Sequence, residues 1–209
     1  MPILLTTVIG CIIVGAVVSG YVQTKDKKKV DKFLTDESKI TIKTHDALND
    51  IEFIHVDFDD VKFKAKSKNA KENVKALQDF SKLKLANFNG LSNQDLKNKY
   101  GNNNFDEVLS YQENYDNLFD QIRTTASSLI DDEDESSAMN ILRFAVDMGD
   151  DVTVTYTNLA ELYIKNNMRK ELYSLVDTVK QNKNLSQQKI MSYIKNLEKE
   201  NVKSKSKKN

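Results

Sequence analysis

The chain has few of the residues that break helices or that build metal and disulfide sites. Its 209 residues include one proline, six glycines, one cysteine, two histidines and no tryptophan. One cysteine excludes an internal disulfide, and two histidines are too few for a metal site without further ligands at suitable spacing. The formal net charge is zero, which provides no bulk attraction to nucleic acid. Scarce proline and glycine favour helices joined by short polar turns.

Catalytic motifs are also missing from the sequence. It has no phosphate-binding glycine loop, no Cys/His pairing, no Gly-x-Ser-x-Gly and no metal triad. The acidic run 131–135 lacks the alternating carboxylates and central glycine of a calcium loop. We interpret it as the start of a helix that Ser136 or Ser137 caps, because acidic side chains are favoured there. The sequence therefore predicts a protein that is not an enzyme, with no cofactor and no metal.

A long uncharged run begins the chain. No charged side chain precedes Lys25, and residues 2–22 as a helix would be about 30 Å long, the thickness of a bilayer core. The stretch 8–11 fits a loose lipobox ending at Cys11, but no positive charge precedes it and the residues after it stay apolar. Residues 1–24 are therefore predicted to be a transmembrane anchor and not a lipoprotein signal.

A cluster of lysines predicts the orientation of this anchor. Positive residues near a span stay in the cytoplasm, and five of them follow at Lys25, Lys27, Lys28, Lys29 and Lys32. We expect a single-pass protein of the plasma membrane with its N-terminus outside and its C-terminal domain in the cytoplasm. Residues 25–39 would be a basic juxtamembrane connector, and 201–209 a basic disordered tail.

The segment 40–66 fits two structures. Alternating apolar residues indicate half-buried strands, and they are Ile40, Ile42, Ile54, Val56, Phe58, Val61, Phe63 and Ala65. A helical stripe through Leu48, Ile51, His55 and Phe58 is also present. The β-branched and aromatic content favours a small antiparallel β element.

Helical spacing dominates from Asn69 onward. Ser92 and Asp95 have the spacing of a capping box, and Gly101 is placed to end that short helix. A stripe of apolar residues between Phe105 and Ile130 follows the helical period, as one helix or two. The predicted fold class is mainly α, with an α(+β) part at 40–115 and a helical part at 116–200.

The helical part resembles itself after a shift of about 34 residues, the period of a helix-turn-helix repeat. The sequence "YTNLAELY" places Tyr156, Leu159, Ala160 and Tyr163 in the positions of Ile122, Thr125, Ala126 and Leu129. In the second helices, Ala138, Leu142 and Ala145 align with Leu172, Val176 and Val179. The first-helix pattern continues at Ile190, Tyr193, Ile194 and Leu197, as a capping helix would. This shift is called the sequence period below.

From about Leu118 to Lys199 the chain is similar to the tetratricopeptide repeat family, although Tyr156 replaces the usual tryptophan, Ala160 replaces the glycine and no proline closes a repeat. The resemblance implies a platform for protein recognition whose concave surface is formed by the first helices. The side chains that it places there are Arg123, Ser127, Thr157, Asn158, Glu161 and Lys165. Donors on Arg123, Asn158 and Lys165 are the candidates for binding a partner's carboxylate.

Two classes of function remain. In the first, the protein is a membrane-tethered adaptor that binds a cytoplasmic or membrane protein or peptide, with no nucleic acid. In the second, it is an accessory subunit assembled through its transmembrane helix, since Cys11, Gly15 and Ser19 recur every four residues and allow close packing of a second membrane helix. The sequence predicts no oligomeric state.

Overall fold

The computed structural model describes residues 43–206, with side chains described as far as Asn201. Within that part of the chain the protein is mainly helical, which confirms the predicted fold class at that level. Its α-helices are α1 (Lys68–Asp79), α2 (Asn93–Tyr100), α3 (Phe105–Asp131), α4 (Glu135–Asp147), α5 (Thr153–Lys165), α6 (Arg169–Gln181) and α7 (Gln187–Ser206).

The predicted anchor at 1–24, with its packing residues Cys11, Gly15 and Ser19, lies outside the described residues, as does the connector at 25–39. Between residues 43 and 206, no helix combines the length and the apolar character that crossing a bilayer requires.

The described chain divides into two compact units. The smaller unit contains residues 43–51 and Asn89–Val108, and the larger unit contains Glu52–Phe88 and residues 109–206. Helix α3 begins in the smaller unit and continues in the larger one.

In the smaller unit, α2 begins with the predicted capping box. Ser92 Oγ accepts a hydrogen bond from Asp95 N at 3.2 Å, and Asp95 Oδ2 accepts one from Ser92 N at 2.9 Å. These bonds satisfy donors that the first turn of a helix leaves unpaired. Hydrogen bonds from the Ser92 hydroxyl and then its amide lower the pKa of Asp95.

Asn103 and Gly101 fix the first described residues of the smaller unit. The Asn103 amide accepts from Lys43 N at 3.1 Å and donates to Lys43 O at 2.9 Å. Lys43 Nζ donates to the Lys99 carbonyl at the C-terminal end of α2, where the helix dipole favours a cation. Gly101 has a φ of +91°, and a β-carbon there would lie 2.9 Å from both Lys43 N and Asn103 Oδ1. This close approach requires glycine at position 101.

In the larger unit, one hydrophobic core is shared by the helices and the segment that precedes them. Helix α5 lies at its centre and packs against α4, α6 and α7. Ala126 in α3 and Ala160 in α5 are fully buried. Small side chains at these positions let neighbouring helices approach closely, while Tyr156 and Leu159 fill the space beside them.

The first and last residues of the later helices recur with the sequence period. Helix α4 covers Glu135–Asp147 and α6 covers Arg169–Gln181, so both ends are displaced by one period. The same displacement separates the last residues of α3 and α5, and the first residues of α5 and α7. The period found in the pattern of side chains is thus also present in the backbone.

The α3–α4 and α5–α6 turns have the same geometry. Glu133 and Asn167, one sequence period apart, are the two described non-glycine residues with positive φ, at 66° and 56°. In each turn the amide of the next residue donates to the carbonyl five positions before it, at 2.8 Å. This bond is the signature of a Schellman-type helix end.

The antiparallel β element expected over 40–66 is not formed in its described part, and that prediction is wrong. His45–Asp50 is a 3₁₀ turn, and a single isolated antiparallel bridge joins Ile54 to Leu85. Residues 56–66 form a non-helical segment with a turn at 59–60, here called the strap.

The alternation in the strap nevertheless has a physical basis. Val56 and Phe58 are buried, and Val61, Phe63 and Ala65 pack partly buried against the core. These side chains form one face of the strap, and helices, not a second strand, cover it. The strap therefore buries alternate side chains as a strand would, without a partner strand beside it.

Carboxylates replace a partner strand along the strap. Lys64 N donates to Asp134 Oδ2 and Lys66 N donates to Asp132 Oδ2, each at 2.6 Å. Ser67 N also donates to Asp132, at 2.8 Å. Backbone donors that would pair with a strand are satisfied in this way.

These bonds lower the pKa of both carboxyl groups. The bond from Ser67 N is the main cause that lowers the pKa of Asp132. Burial raises the pKa of Asp134, but the bonds from Lys64 N and Ser137 outweigh it, so that pKa is also lowered. Both aspartates are therefore held in the charged form that the strap amides bind.

The acidic run begins α4 as predicted, but with a different cap. Asp134 is the N-cap residue and accepts hydrogen bonds from Ser137 N at 3.4 Å and from Ser136 Oγ at 3.2 Å. The two serines that were expected to cap the helix lie in its first turn. Aspartate caps a helix as well as serine does, and the Ser137 hydroxyl instead donates to Lys62 O of the strap, at 3.3 Å.

Candidate binding face

Helix α5 carries four of the predicted binding residues on its outer side. Thr157 and Asn158 are half-buried, and Glu161 and Lys165 are exposed. Glu161 follows Asn158 by three positions and Thr157 by four, and Lys165 follows Glu161 by four, which places all of them along one side of the helix. Val154, at the start of the same side, is 50% exposed although it is apolar. Together these five residues are called the α5 face.

Arg123 lies in a buried ion pair. Its Nη1 is 2.7 Å from Asp150 Oδ2, and its Nη2 pairs with Asp120 one turn earlier in α3. The Arg123 side chain is 16% exposed and that of Asp150 is 2% exposed. Arg123 Nη1 also lies 3.4 Å from Thr155 Oγ1. The guanidinium therefore joins α3 to the α4–α5 turn and to the first turn of α5.

Asp150 is the residue of this pair that sequence reasoning missed. Its carboxylate accepts hydrogen bonds from the Thr155 hydroxyl and from Val152 N, and the Tyr156 hydroxyl donates to its carbonyl at 2.7 Å. Burial raises the pKa of Tyr156 to about 12. All these partners lie within six positions of Asp150, but Arg123 is 27 positions away in sequence. No local pattern indicates that pairing.

Lys165 also has a partner inside the larger unit. Its ammonium pairs with Glu135 at the start of α4, and Asn166 Nδ2 donates to the same carboxylate at 2.8 Å. The hydrogen bond from Lys165, followed by that from Asn166, lowers the pKa of Glu135. Lys165 is 68% exposed, so this pair is accessible to water and weak.

Glu161 connects the α5 face to α7. The Tyr193 hydroxyl donates to Glu161 Oε1, and this bond to a carboxylate is the main cause that raises the pKa of Tyr193 to about 12. Nearer the end of α7, Asn201 Nδ2 donates to the Ile164 carbonyl at 3.2 Å. These contacts fix α7 beside α5 and make Tyr193, which is 37% exposed, a neighbour of the face.

The remaining predicted residues are free to contact a partner. The Asn158 amide and the Ser127 hydroxyl make no hydrogen bond to any residue that the structure describes, and the Thr157 hydroxyl donates to its own helix at Val154 O. Arg123 contacts Thr155, which lies ten positions before Lys165, or about 15 Å along a helix axis. The three proposed donors therefore lie at different heights along the α5 axis, with Arg123 reaching its first turn from α3, and two of them have internal carboxylate partners.

Neither histidine belongs to a metal cluster within the described residues. His45 is exposed and lies 3.8 Å from Glu107, and His55 is exposed. Across residues 43–201, no group of three or more His, Cys, Asp or Glu side chains is arranged to hold a metal ion.

Comparisons of the chain with protein-family models, with curated proteins and with solved structures find no match.

Proposed function

We propose that this protein is a membrane-tethered, non-enzymatic adaptor that binds a protein or peptide through the first-helix side of a tetratricopeptide-like repeat. The observation that carries the proposal is the sequence period that the helix ends and the turns share. Repeats of this kind stack helix pairs so that successive first helices line one surface. Here α3 and α5 are the first helices of two repeats, and α7 is the capping helix.

The α5 face has the chemistry of a protein contact. Val154 offers exposed apolar area, and Asn158 offers a donor and an acceptor with no internal partner among the described residues. Beside them, Glu161 and Lys165 are held by hydrogen bonds to Tyr193 and Glu135. Exposed apolar area next to polar side chains is typical of interfaces. Residues already ordered in the free protein reduce the entropy that binding costs.

Tethering supports the same role. The proposed anchor at 1–24 and its lysines would hold the C-terminal domain at the cytoplasmic surface of the membrane. A partner bound there meets other membrane components at a raised effective concentration, even when the contact is weak.

Photo-crosslinking in living cells tests the adaptor. A photoreactive residue at Asn158 should give a main adduct with one protein, whereas the same residue at Asn140, an exposed asparagine on α4, should not. Val154→Asp should abolish the adduct and leave helicity and membrane location unchanged. Arg123 is left intact because its loss would disturb the fold. Equal adducts from both positions, or an adduct that survives Val154→Asp, would contradict the proposed face.

Replacing the span separates the adaptor from the accessory subunit. An unrelated transmembrane helix lacks the small residues Cys11, Gly15 and Ser19 at four-residue spacing. An adaptor keeps its adduct at Asn158 after this exchange. Loss of the adduct would favour assembly through the membrane helix.

A further inference from the structure

An open groove runs between α6 and α7 at the end of the helical array. It has a volume of about 380 Å³ and a mostly apolar lining. Leu172, Tyr173 and Val176 of α6 form one wall, and Met191, Ile194 and Lys195 of α7 form the other. Tyr173 is 60% exposed, the highest exposure among the large hydrophobic side chains that the structure describes.

Only the base of the groove can be compared with the surface one sequence period earlier. Ala138, Leu142 and Ala160 occupy there the positions of Leu172, Val176 and Ile194, and they have no exposed area; Leu172 and Ile194 are also buried, whereas Val176 is only half-buried. Helices α6 and α7 follow α4 and α5, whereas no described element follows α7. The groove is therefore continuous with the existing helix interface, and its outer part at Tyr173, Val176 and Met191 is left partly open by the described part of the chain.

The charges at its rim suit a second copy of the same surface. Lys195 and Glu198 are exposed, lie about one turn apart on α7 and line the groove. Neither forms an ion pair with any residue in the described part of the chain. In an antiparallel crossing of two α7 helices about a two-fold axis, Lys195 of one copy meets Glu198 of the other, and the reverse contact forms as well. Such an interface is self-complementary, as two-fold symmetry requires.

We propose that the α6–α7 groove is the interface of a two-fold homodimer. Tyr173, Val176 and Met191 form its apolar centre, and the two reciprocal Lys195–Glu198 pairs fix the orientation. Exposed aromatic residues surrounded by a polar rim are where interfaces concentrate their binding energy. The inference does not depend on the adaptor function, since it concerns residues of α6 and α7 and none of the α5 face.

Cysteine crosslinking of the full chain in its membrane tests the dimer. Cys11 is the only cysteine, so Cys11→Ser gives a background in which one introduced thiol is unique. Lys199→Cys places a thiol beside Glu198. Its symmetry mate would be five positions away along the helix in the proposed register, or about 7.5 Å. A bifunctional maleimide should give a band at twice the mass of the chain, and Asn140→Cys on α4 should not.

Charge exchange then tests the register. Lys195→Glu and Glu198→Lys should each remove most of the crosslinked dimer, because each change creates two like-charge contacts. The combined variant should restore it, because the pairs are re-formed with the charges exchanged. Tyr173→Asp should also remove the dimer while helicity stays unchanged, since Tyr173 is mostly exposed.

Three outcomes would overturn the proposal. The first is an equal dimer band from Asn140→Cys, which would place the contact elsewhere, for example in the membrane span. The second is a Lys199→Cys product whose mass is not twice that of the chain, which would assign the groove to another protein. The third is failure of the combined charge exchange to restore a band that both single changes removed.

Discussion

Replacing Arg123 with methionine should lower the free energy of unfolding of the larger unit by about 2–3 kcal/mol. The change keeps much of the apolar length of the side chain and removes the guanidinium. Asp150, with a side chain 2% exposed, would then lose its only cationic partner among the described residues.

The size of this loss of stability depends on the hydrogen bonds that the Asp150 carboxylate keeps after Arg123 is replaced. Breaking a buried ion pair by removing one partner costs about 3–5 kcal/mol, because the other charge is left uncompensated. Asp150 would keep its hydrogen bonds from the Thr155 hydroxyl and Val152 N, and Arg123 is itself 16% exposed. Both facts reduce the expected cost to the lower limit of that range or below it, to about 2–3 kcal/mol.

Urea unfolding followed by far-ultraviolet circular dichroism measures the effect on the purified chain. Lys180→Met is the matched control, because Lys180 and Asp177 form a pair whose side chains are 58% and 66% exposed. Such pairs contribute about 0–1 kcal/mol. Adding Asp150→Asn to Arg123→Met should cost less than the sum of the two single changes, since the two residues interact. If Arg123→Met behaves like the control, the buried pair does not stabilise this unit as argued.

Two further predictions concern the strap and the anchor. The pKa values of Asp132 and Asp134 are lowered in the folded state, so their stabilising effect is complete above the ordinary aspartate pKa of about 3.9 and is lost as the pH falls through the lowered values. Asp134→Asn should therefore reduce the urea midpoint at pH 7 and flatten its decline below about pH 4; a decline parallel to that of the unchanged protein would contradict this. For the anchor, protease added to intact cells should spare a C-terminal tag and digest it only after lysis, whereas digestion in intact cells, or an exported form lipidated at Cys11, would refute the predicted orientation.

Local sequence determined the helices and several of their ends. The short helix α2 has its capping box where Ser92 and Asp95 predict it, because a cap depends on residues three positions apart. The apolar stripe after Phe105 forms the single helix α3. The sequence period was visible in the order of large and small side chains, and the helix ends recur with it. Each of these features rests on neighbours within a few turns or on a simple period.

The strap has features that local sequence did not determine. Its alternation indicated a non-helical segment with one buried face, but alternation does not specify which element covers that face. Here helices cover it, and Asp132 and Asp134, far along the chain, accept from its backbone amides. A carboxylate and a neighbouring strand satisfy the same donors, so the choice between them depends on the folded chain.

Only part of the candidate binding face could likewise be predicted from the sequence. The resemblance to the repeat family implied that Thr157, Asn158, Glu161 and Lys165 lie on one surface, and their helical spacing is consistent with one side of α5. Only the tertiary structure decided that Arg123 pairs with Asp150, that Lys165 pairs with Glu135, and that Asn158 has no partner among the described residues. Helical spacing is a local property of the backbone. Whether a charged side chain on that helix is available to a partner depends on which distant side chains folding brings to within a hydrogen bond of it.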